Sequence, residues 1–187
     1  MALLACLALP ASAGAAGSAY VTNINSANVS QYAIGAGGML SSLTPATVAA
    51  GASPFGVAVS PDGNSAYGTN AGDNTVSQYT IDPVSGALTP KTPATVAAGA
   101  APQGVAVSPD GKSAYVTNNG DNTVSQYTID PVSGALTPKT PATVATGAFP
   151  FGVAVSPDGN SAYVTNVVDN TVSQPALNRS SQRLLFW

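Results

Sequence analysis

The chain has 187 residues, of which 44% are hydrophobic and only 7% are charged, and its formal net charge is −3. It contains no His and no Glu, and it lacks the basic patch that a nucleic-acid-binding protein needs. Val, Thr, Tyr, Gly and Pro are plentiful, a strand-and-turn composition that predicts an all-β fold.

The first predicted segment is a signal peptide and leader over residues 1–17. An apolar run from Ala2 to Leu9 precedes the small residues Ala11 to Ala13, the pattern of a signal-peptidase site, although the usual positive residues before the run are missing. The run is too short to span a bilayer as a helix. We therefore predict an extracytoplasmic protein (secreted, periplasmic or cell-surface) with no transmembrane segment. A merely alanine-rich leader is the alternative.

The rest of the chain is dominated by a tandem repeat. The motif GVAVSPDG begins at Gly56, Gly104 and Gly152, a spacing of 48 residues each time. Units 55–102 and 103–150 differ at only six of 48 positions. We divide the chain into repeat units 18–54, 55–102, 103–150 and an incomplete 151–174, followed by a non-repeat tail, 175–187.

Each unit splits into four short β-rich segments separated by turn residues. In the first whole unit we expect them at residues 56–60, 65–70, 75–81 and about 87–97. Pro90 and Pro93 interrupt the last segment, and because proline cannot donate to a β-ladder, this segment should form the outer edge of its sheet.

This order of segments predicts a partial β-propeller of about 3.5 four-stranded antiparallel blades. A β-sandwich and a β-solenoid are the alternatives. A sandwich does not normally repeat every 48 residues at near identity, and a solenoid coil is generally shorter. With strands labelled A to D, the chain should run BCD, ABCD, ABCD, ABC.

Three motifs carry a resemblance to known repeats: SPDGK at 108–112, SAYVTN at 113–118 and QYTIDPVSGALTP at 126–138. They resemble the YVTN-repeat β-propellers, and the chain is similar to the seven-bladed-propeller lactonase (6-phosphogluconolactonase-like) family. The resemblance covers Ser18 to about Gln174. It implies a propeller fold, but this repeat is shared by enzymes and surface-layer proteins, so it implies no single function.

An array of 3.5 blades cannot close the usual ring of about four to eight blades by itself. Its outer blade faces and strand edges would stay exposed, with few charges to protect them. We therefore expect either self-association that covers the open blade faces or aggregation. The alternative is that the chain is a fragment of a longer propeller.

The loops of an antiparallel meander alternate between two faces, so the B–C and D–A loops share one face. Residues that head the innermost strands should ring the channel mouth on this face, and Asp and Asn recur in its B–C loops. The ligand-face candidates are Phe55, Gln103, Phe151, Asp73, Asp121, Asp169, Asn70, Asn118 and Asn166. Cation binding by the Asp and Asn residues is an alternative to ordinary turn capping; we predict no metal and no cofactor.

Lactone hydrolysis requires a general base or a metal-bound water, and a group that stabilises the oxyanion. The lactonase-like family that the chain resembles often has His after the Pro that opens strand A. This chain has Phe55, Gln103 and Phe151 at those positions. We therefore favour a binding or structural scaffold with an unidentified protein or carbohydrate partner, and we assign no catalytic residue. Lactonase-like hydrolysis of sugar lactones is the alternative.

Overall fold

A computed structural model describes residues 17–177 of the chain; the predicted leader up to residue 16 and tail residues 178–187 lie outside the described residues. A single-turn 3-10 helix covers Ala36–Gly38. The strands in chain order are β1 (Gly17–Asn23), β2 (Asn28–Ile34), β3 (Leu40–Ala49), β4 (Pro54–Val59), β5 (Ser65–Asn70), β6 (Thr75–Ile81), β7 (Leu88–Ala97), β8 (Pro102–Val107), β9 (Ser113–Asn118), β10 (Thr123–Ile129), β11 (Leu136–Ala145), β12 (Pro150–Val155), β13 (Ala162–Asn166) and β14 (Thr171–Ser173).

The strands form four separate antiparallel sheets, which we call blades 1 to 4. Blade 1 is β1-β2-β3, blade 2 is β4-β5-β6-β7, blade 3 is β8-β9-β10-β11 and blade 4 is β12-β13-β14. The proline-containing β7 and β11 lie at the outer edges, as the repeat predicts. The partial β-propeller prediction is therefore confirmed. Among residues 17–177, no helix is long and apolar enough to cross a membrane.

The turn residues of the repeat set most of the strand boundaries. Gly63 (φ 75°) and Asn74 (φ 55°) have left-handed backbones, and each ends a turn just before a strand begins. The first segment of the first whole unit is shifted: β4 covers Pro54–Val59 rather than the expected residues 56–60. Pro54 pairs with Asn70 across a bulge that precedes Val57, so the strand extends into the D–A loop.

Neighbouring blades pack through one repeated set of side chains. At the junction of blades 1 and 2, Tyr20 and Val29 pack against Tyr79, Ile81 and Leu88, and all five are buried. The Tyr20 hydroxyl donates to the carbonyl of Gly86 at 2.6 Å, and the Tyr79 hydroxyl donates back to the carbonyl of Ala49 at 2.8 Å. Both tyrosines therefore bury an aromatic ring while the hydroxyl keeps a partner.

The same arrangement recurs at the junction of blades 2 and 3. Tyr67 and Val76 pack against Tyr127, Ile129 and Leu136. The Tyr67 hydroxyl donates to the carbonyl of Gly134 at 2.7 Å, and the Tyr127 hydroxyl donates to that of Ala97 at 2.7 Å. Tyr20, Tyr67, Tyr79 and Tyr127 thus all pack between neighbouring blades.

Burial of these tyrosines predicts that the fold fails at high pH. Burial raises the pKa of both Tyr67 and Tyr127 to about 12, above the ordinary value of 10.0. The stability that this shift contributes is fully present below pH 10 and is lost as the pH rises through 12, because only the unfolded chain ionises readily in that window. We expect tyrosinate absorbance at 295 nm and the loss of β-sheet circular dichroism to rise together there. Ionisation of Tyr67 and Tyr127 at pH 10 in a folded chain would contradict this.

Candidate functional site

The inner strands of blades 2, 3 and 4 converge on a small cavity at the centre of the array. Phe55, Gln103 and Phe151 occupy the second position of β4, β8 and β12, and each is followed by Gly and Val. These nine residues line a cavity of about 230 Å³. The rings of Phe55 and Phe151 meet edge to face, with centroids 5.4 Å apart and an interplanar angle of 87°.

Glycine after each of these residues lets the inner strands approach closely. A Cβ atom on Gly56 would lie 2.5 Å from the carbonyl oxygen of Gln103, and one on Gly104 would lie 2.5 Å from that of Phe151. Thr69 of β5 then ties two blades together, because its Oγ1 accepts from the Gly56 amide and donates to the Gln103 carbonyl at 2.7 Å. The inner strands of neighbouring blades are therefore in direct backbone contact at Gly56 and Gly104.

Gln103 carries the one polar side chain of this cavity. Its Oε1 atom is buried and has no hydrogen-bond partner. Leaving such an oxygen unpaired costs about 1–3 kcal/mol, and buried groups of this kind are uncommon enough to suggest a role. Gln103 Oε1 is therefore an unsatisfied acceptor on a residue that lines the same cavity as Phe55 and Phe151.

The recurring Asp candidates hold the D–A loops in place. Asp73 Oδ2 accepts from the Ala52 amide at 2.5 Å, and Asp121 Oδ2 accepts from the Ala100 amide at 2.6 Å. Asp169 Oδ2 makes the same bond to the Ala148 amide. Each carboxylate thus fastens a B–C loop to the preceding D–A loop of the chain.

The Asn candidates are buried just beneath these carboxylates. Asn70 Oδ1 accepts from the Gly51 amide, while its Nδ2 donates to Thr75 Oγ1 and Ser77 Oγ. Asn118 makes the equivalent bonds in blade 3. Asn166 Nδ2 keeps the two donations, but its Oδ1 is buried without a partner. The Asp and Asn candidates of the B–C loops thus fix the position of the D–A loops, and none of them lines the cavity of Phe55, Gln103 and Phe151.

A larger cleft, of about 590 Å³, lies between blades 2 and 3 at the A–B and C–D turns. Lys91 is a lining residue that the sequence did not single out; its ammonium donates to Thr80 Oγ1 at 3.0 Å and to the Ser133 carbonyl at 2.6 Å. Desolvation lowers the pKa of Lys91, and the nearby Asp62 charge partly opposes this. The recurrence of Lys at the same position in the next repeat, Lys139, was the available signal.

The polar groups of this larger cleft are largely engaged within the protein. Asp62 accepts from Ser60 Oγ, the Asn64 amide and Asn64 Nδ2. Partial burial pushes the pKa of Asp62 upward, but these hydrogen bonds outweigh it and hold the pKa below the usual value. Because Asp62 is stabilised as an anion in a turn, it is poorly suited to act as a base. The smaller channel cavity, with its unpaired Gln103 oxygen, is the better candidate site. Among residues 17–177, no three His, Cys, Asp or Glu side chains lie close enough to hold a metal ion.

Four antiparallel sheets arranged around inner strands that line a channel define an open β-propeller array. The chain belongs to the lactonase family of seven-bladed β-propellers, whose family profile matches residues 15–186. The predicted lactonase-like relationship is therefore confirmed. Among curated proteins, none matches the sequence significantly.

Solved structures show the same fold at low sequence identity. A candidate 6-phosphogluconolactonase from Bacteroides fragilis is 23% identical with a TM-score of 0.75, over 90% of this chain and 49% of that one. The periplasmic gluconolactonase PpgL of Pseudomonas aeruginosa is 22% identical with a TM-score of 0.69, over 86% of this chain and 50% of that one. The chain spans about half the length of these structures.

Proposed function

We propose that this chain is part of a lactonase-like propeller that binds sugar lactones at the channel cavity and promotes their hydrolysis. The observation that carries the proposal is the buried, unpaired Oε1 of Gln103, on a residue that lines one cavity together with Phe55 and Phe151. Ligand sites are typically apolar with a few placed polar groups, and this cavity has that composition. Membership of the lactonase family supports the lactone as the substrate class.

A sugar lactone combines the two properties that the cavity can recognise. Its C–H groups offer an apolar surface to Phe55 and Phe151, and its hydroxyl groups can donate to Gln103 Oε1. In the reaction, water adds to the lactone carbonyl, the ring C–O bond breaks, and a hydroxy acid is released. We assign Phe55, Gln103 and Phe151 to substrate binding, because none of them can transfer a proton at neutral pH. The proton transfers require a general base, and aspartate is the only carboxylate side chain in the sequence.

The variant Gln103→Leu tests this proposal through two effects of opposite sign. Leu has a similar size but no unpaired oxygen, so we expect the free energy of unfolding to rise by about 1 kcal/mol. Loss of the acceptor should raise the KM for glucono-δ-lactone about tenfold, equivalent to about 1.4 kcal/mol. Lactone loss can be followed by hydroxylamine trapping at pH about 6, where spontaneous hydrolysis is measured in parallel. The exposed Val132→Ala is the control and should change neither quantity.

No acceleration above the spontaneous rate by the wild-type chain would contradict hydrolysis. An unchanged KM in Gln103→Leu would contradict binding at this cavity. A fall in stability would show instead that the Gln103 amide serves the fold.

A second candidate function is an extracytoplasmic binding or structural scaffold. It is favoured by the channel cavity itself, whose nine lining residues are all uncharged. The Asp residues around it are engaged in loop fastenings rather than exposed as a base. Under this proposal, the chain does not hydrolyse glucono-δ-lactone, whether or not the lactone binds. The partner is then a protein or a carbohydrate.

A further inference from the structure

The blade 4 end of the array exposes one half of the repeated junction. Tyr163 and Val172 are 45% and 64% exposed. Their repeat equivalents are at most 2% exposed, because the next blade covers them; these are Tyr20, Tyr67, Tyr115, Val29, Val76 and Val124. The burial pattern of β13 alternates strictly, whereas β5 and β9 are buried on both faces. One whole face of blade 4 therefore lacks the cover that the other blades have.

The blade 1 end exposes the other half of the same junction. Leu40 is 55% exposed, while its equivalents Leu88 and Leu136 are 4% and 6% exposed. Tyr32 occupies the position of Tyr79 and is only partly buried. The side chains left open at the two ends are thus the two sets that pack together at both internal junctions shown above.

The two ends of the array also carry the two halves of a hydrogen bond, with the donor at blade 4 and the acceptor at blade 1. The Tyr163 hydroxyl has no hydrogen-bond partner among residues 17–177, whereas Tyr20 and Tyr67 donate to the carbonyls of Gly86 and Gly134. The repeat equivalent of these glycines in blade 1 is Gly38, whose φ of 78° matches the 76° of Gly86. Blade 1 of another copy would therefore offer Tyr163 the acceptor that its equivalents use.

We propose that two copies of this chain associate head to tail through these ends. The tail face, formed by Tyr163, Thr165 and Val172, docks on the head face of a second copy, formed by Tyr32, Ile34 and Leu40. The contact continues the internal junctions, which is why a blade of the same repeat is the partner that fits. Neither face contains a charged residue, so the association is hydrophobic.

Head-to-tail contacts are heterologous, so they either close into a ring or continue as a filament. Two copies joined at both ends place eight sheets around one axis, one more than the seven blades of the lactonase family and still within the usual range of about four to eight propeller blades. We therefore expect a closed dimer with two equivalent junctions. Alternative occupants of the tail face are residues 178–187 of the same chain or further blades of a longer protein.

The experiment measures the mass of the 187-residue chain by light scattering after size-exclusion chromatography, at chain concentrations from about 1 to 100 μM. We expect twice the mass of one chain. Tyr163→Asp and Tyr32→Asp each place a charge in a junction, and each should weaken association at least about 100-fold. Val132→Asp, at an exposed site away from both faces, is the control and should stay dimeric. Tyr163→Ala repeats the test without adding a charge.

Mixing the two single variants identifies the geometry. A head-to-tail contact lets Tyr163→Asp and Tyr32→Asp chains form a mixed dimer through their one intact pair of faces. A tail-to-tail contact would leave Tyr32→Asp fully dimeric, which would overturn the proposal. A wild-type chain that is monomeric at 100 μM would also overturn it and would point to the alternative occupants. Retained β-sheet circular dichroism in each variant separates lost association from lost folding.

Discussion

Replacing Gly104 by alanine should destabilise the fold by about 3 kcal/mol, which lowers the midpoint of thermal unfolding by about 6–12 °C. The added Cβ atom would lie 2.5 Å from the Phe151 carbonyl oxygen and 3.3 Å from Thr117 Oγ1. Both neighbours are held by the same hydrogen bond, at 2.7 Å, so neither can move without breaking the contact between blades 3 and 4. Differential scanning calorimetry of the purified chain measures the change.

Gly152→Ala provides a matched control for this effect. Gly152 occupies the same position of the repeat, but no inner strand follows it among residues 17–177, and an added Cβ would approach only Thr165 Oγ1, at 3.2 Å. We expect a change within about 1 kcal/mol. Equal losses in Gly104→Ala and Gly152→Ala would show that the cost arises within a strand rather than from the neighbouring blade.

The second large effect is expected for Tyr67→Ala, which should lower the free energy of unfolding by about 3–5 kcal/mol. The Tyr67 ring is fully buried between blades 2 and 3 and packs in the cluster that contains Val116 and Tyr127. Urea denaturation followed by circular dichroism measures the loss. A loss below about 1 kcal/mol would contradict the view that blade junctions carry the stability of the array.

Two further variants separate the ring from its hydroxyl group. Tyr67→Phe keeps the ring but leaves the Gly134 carbonyl without its donor, so we expect a loss of about 1 kcal/mol. Val132→Ala, at a residue that is 95% exposed, should have no measurable effect. A loss of unfolding free energy that is larger for Tyr67→Ala than for Tyr67→Phe shows that packing of the ring contributes more than the hydrogen bond of its hydroxyl group. Val132→Ala gives the baseline for both.

Local chemistry explains why the strands could be predicted closely. The segments expected at residues 65–70 and 75–81 are β5 and β6 with the same boundaries. Their ends are set by turn residues such as Gly63 and Asn74, whose backbone preference acts over only a few residues. The start of β4 depends instead on pairing between Pro54 and Asn70, which are 16 positions apart, and it was missed by two residues.

The candidate site was predictable in position but not in chemistry. Repeat order places Phe55, Gln103 and Phe151 together, because each heads an inner strand. Gln103 Oε1 is unpaired because of its surroundings, which are formed by the inner strands of blades 2, 3 and 4 together. The sequence of one repeat does not show these surroundings. The roles of Asp73 and Asn70 likewise depend on where the D–A loop passes, so the sequence could not distinguish a loop fastening from a ligand group.

The threonine hydrogen bonds between blades all run from one blade to the next blade along the chain, and this has an evolutionary consequence. Thr22, Thr69 and Thr117 each donate to the inner strand of the following blade, at the carbonyls of Phe55, Gln103 and Phe151. A duplicated stretch of 48 codons would therefore insert a blade that already carries the donor for its successor and the acceptor for its predecessor. Unequal recombination between the near-identical units can lengthen or shorten such an array in whole blades, without any compensating mutation at the new joints.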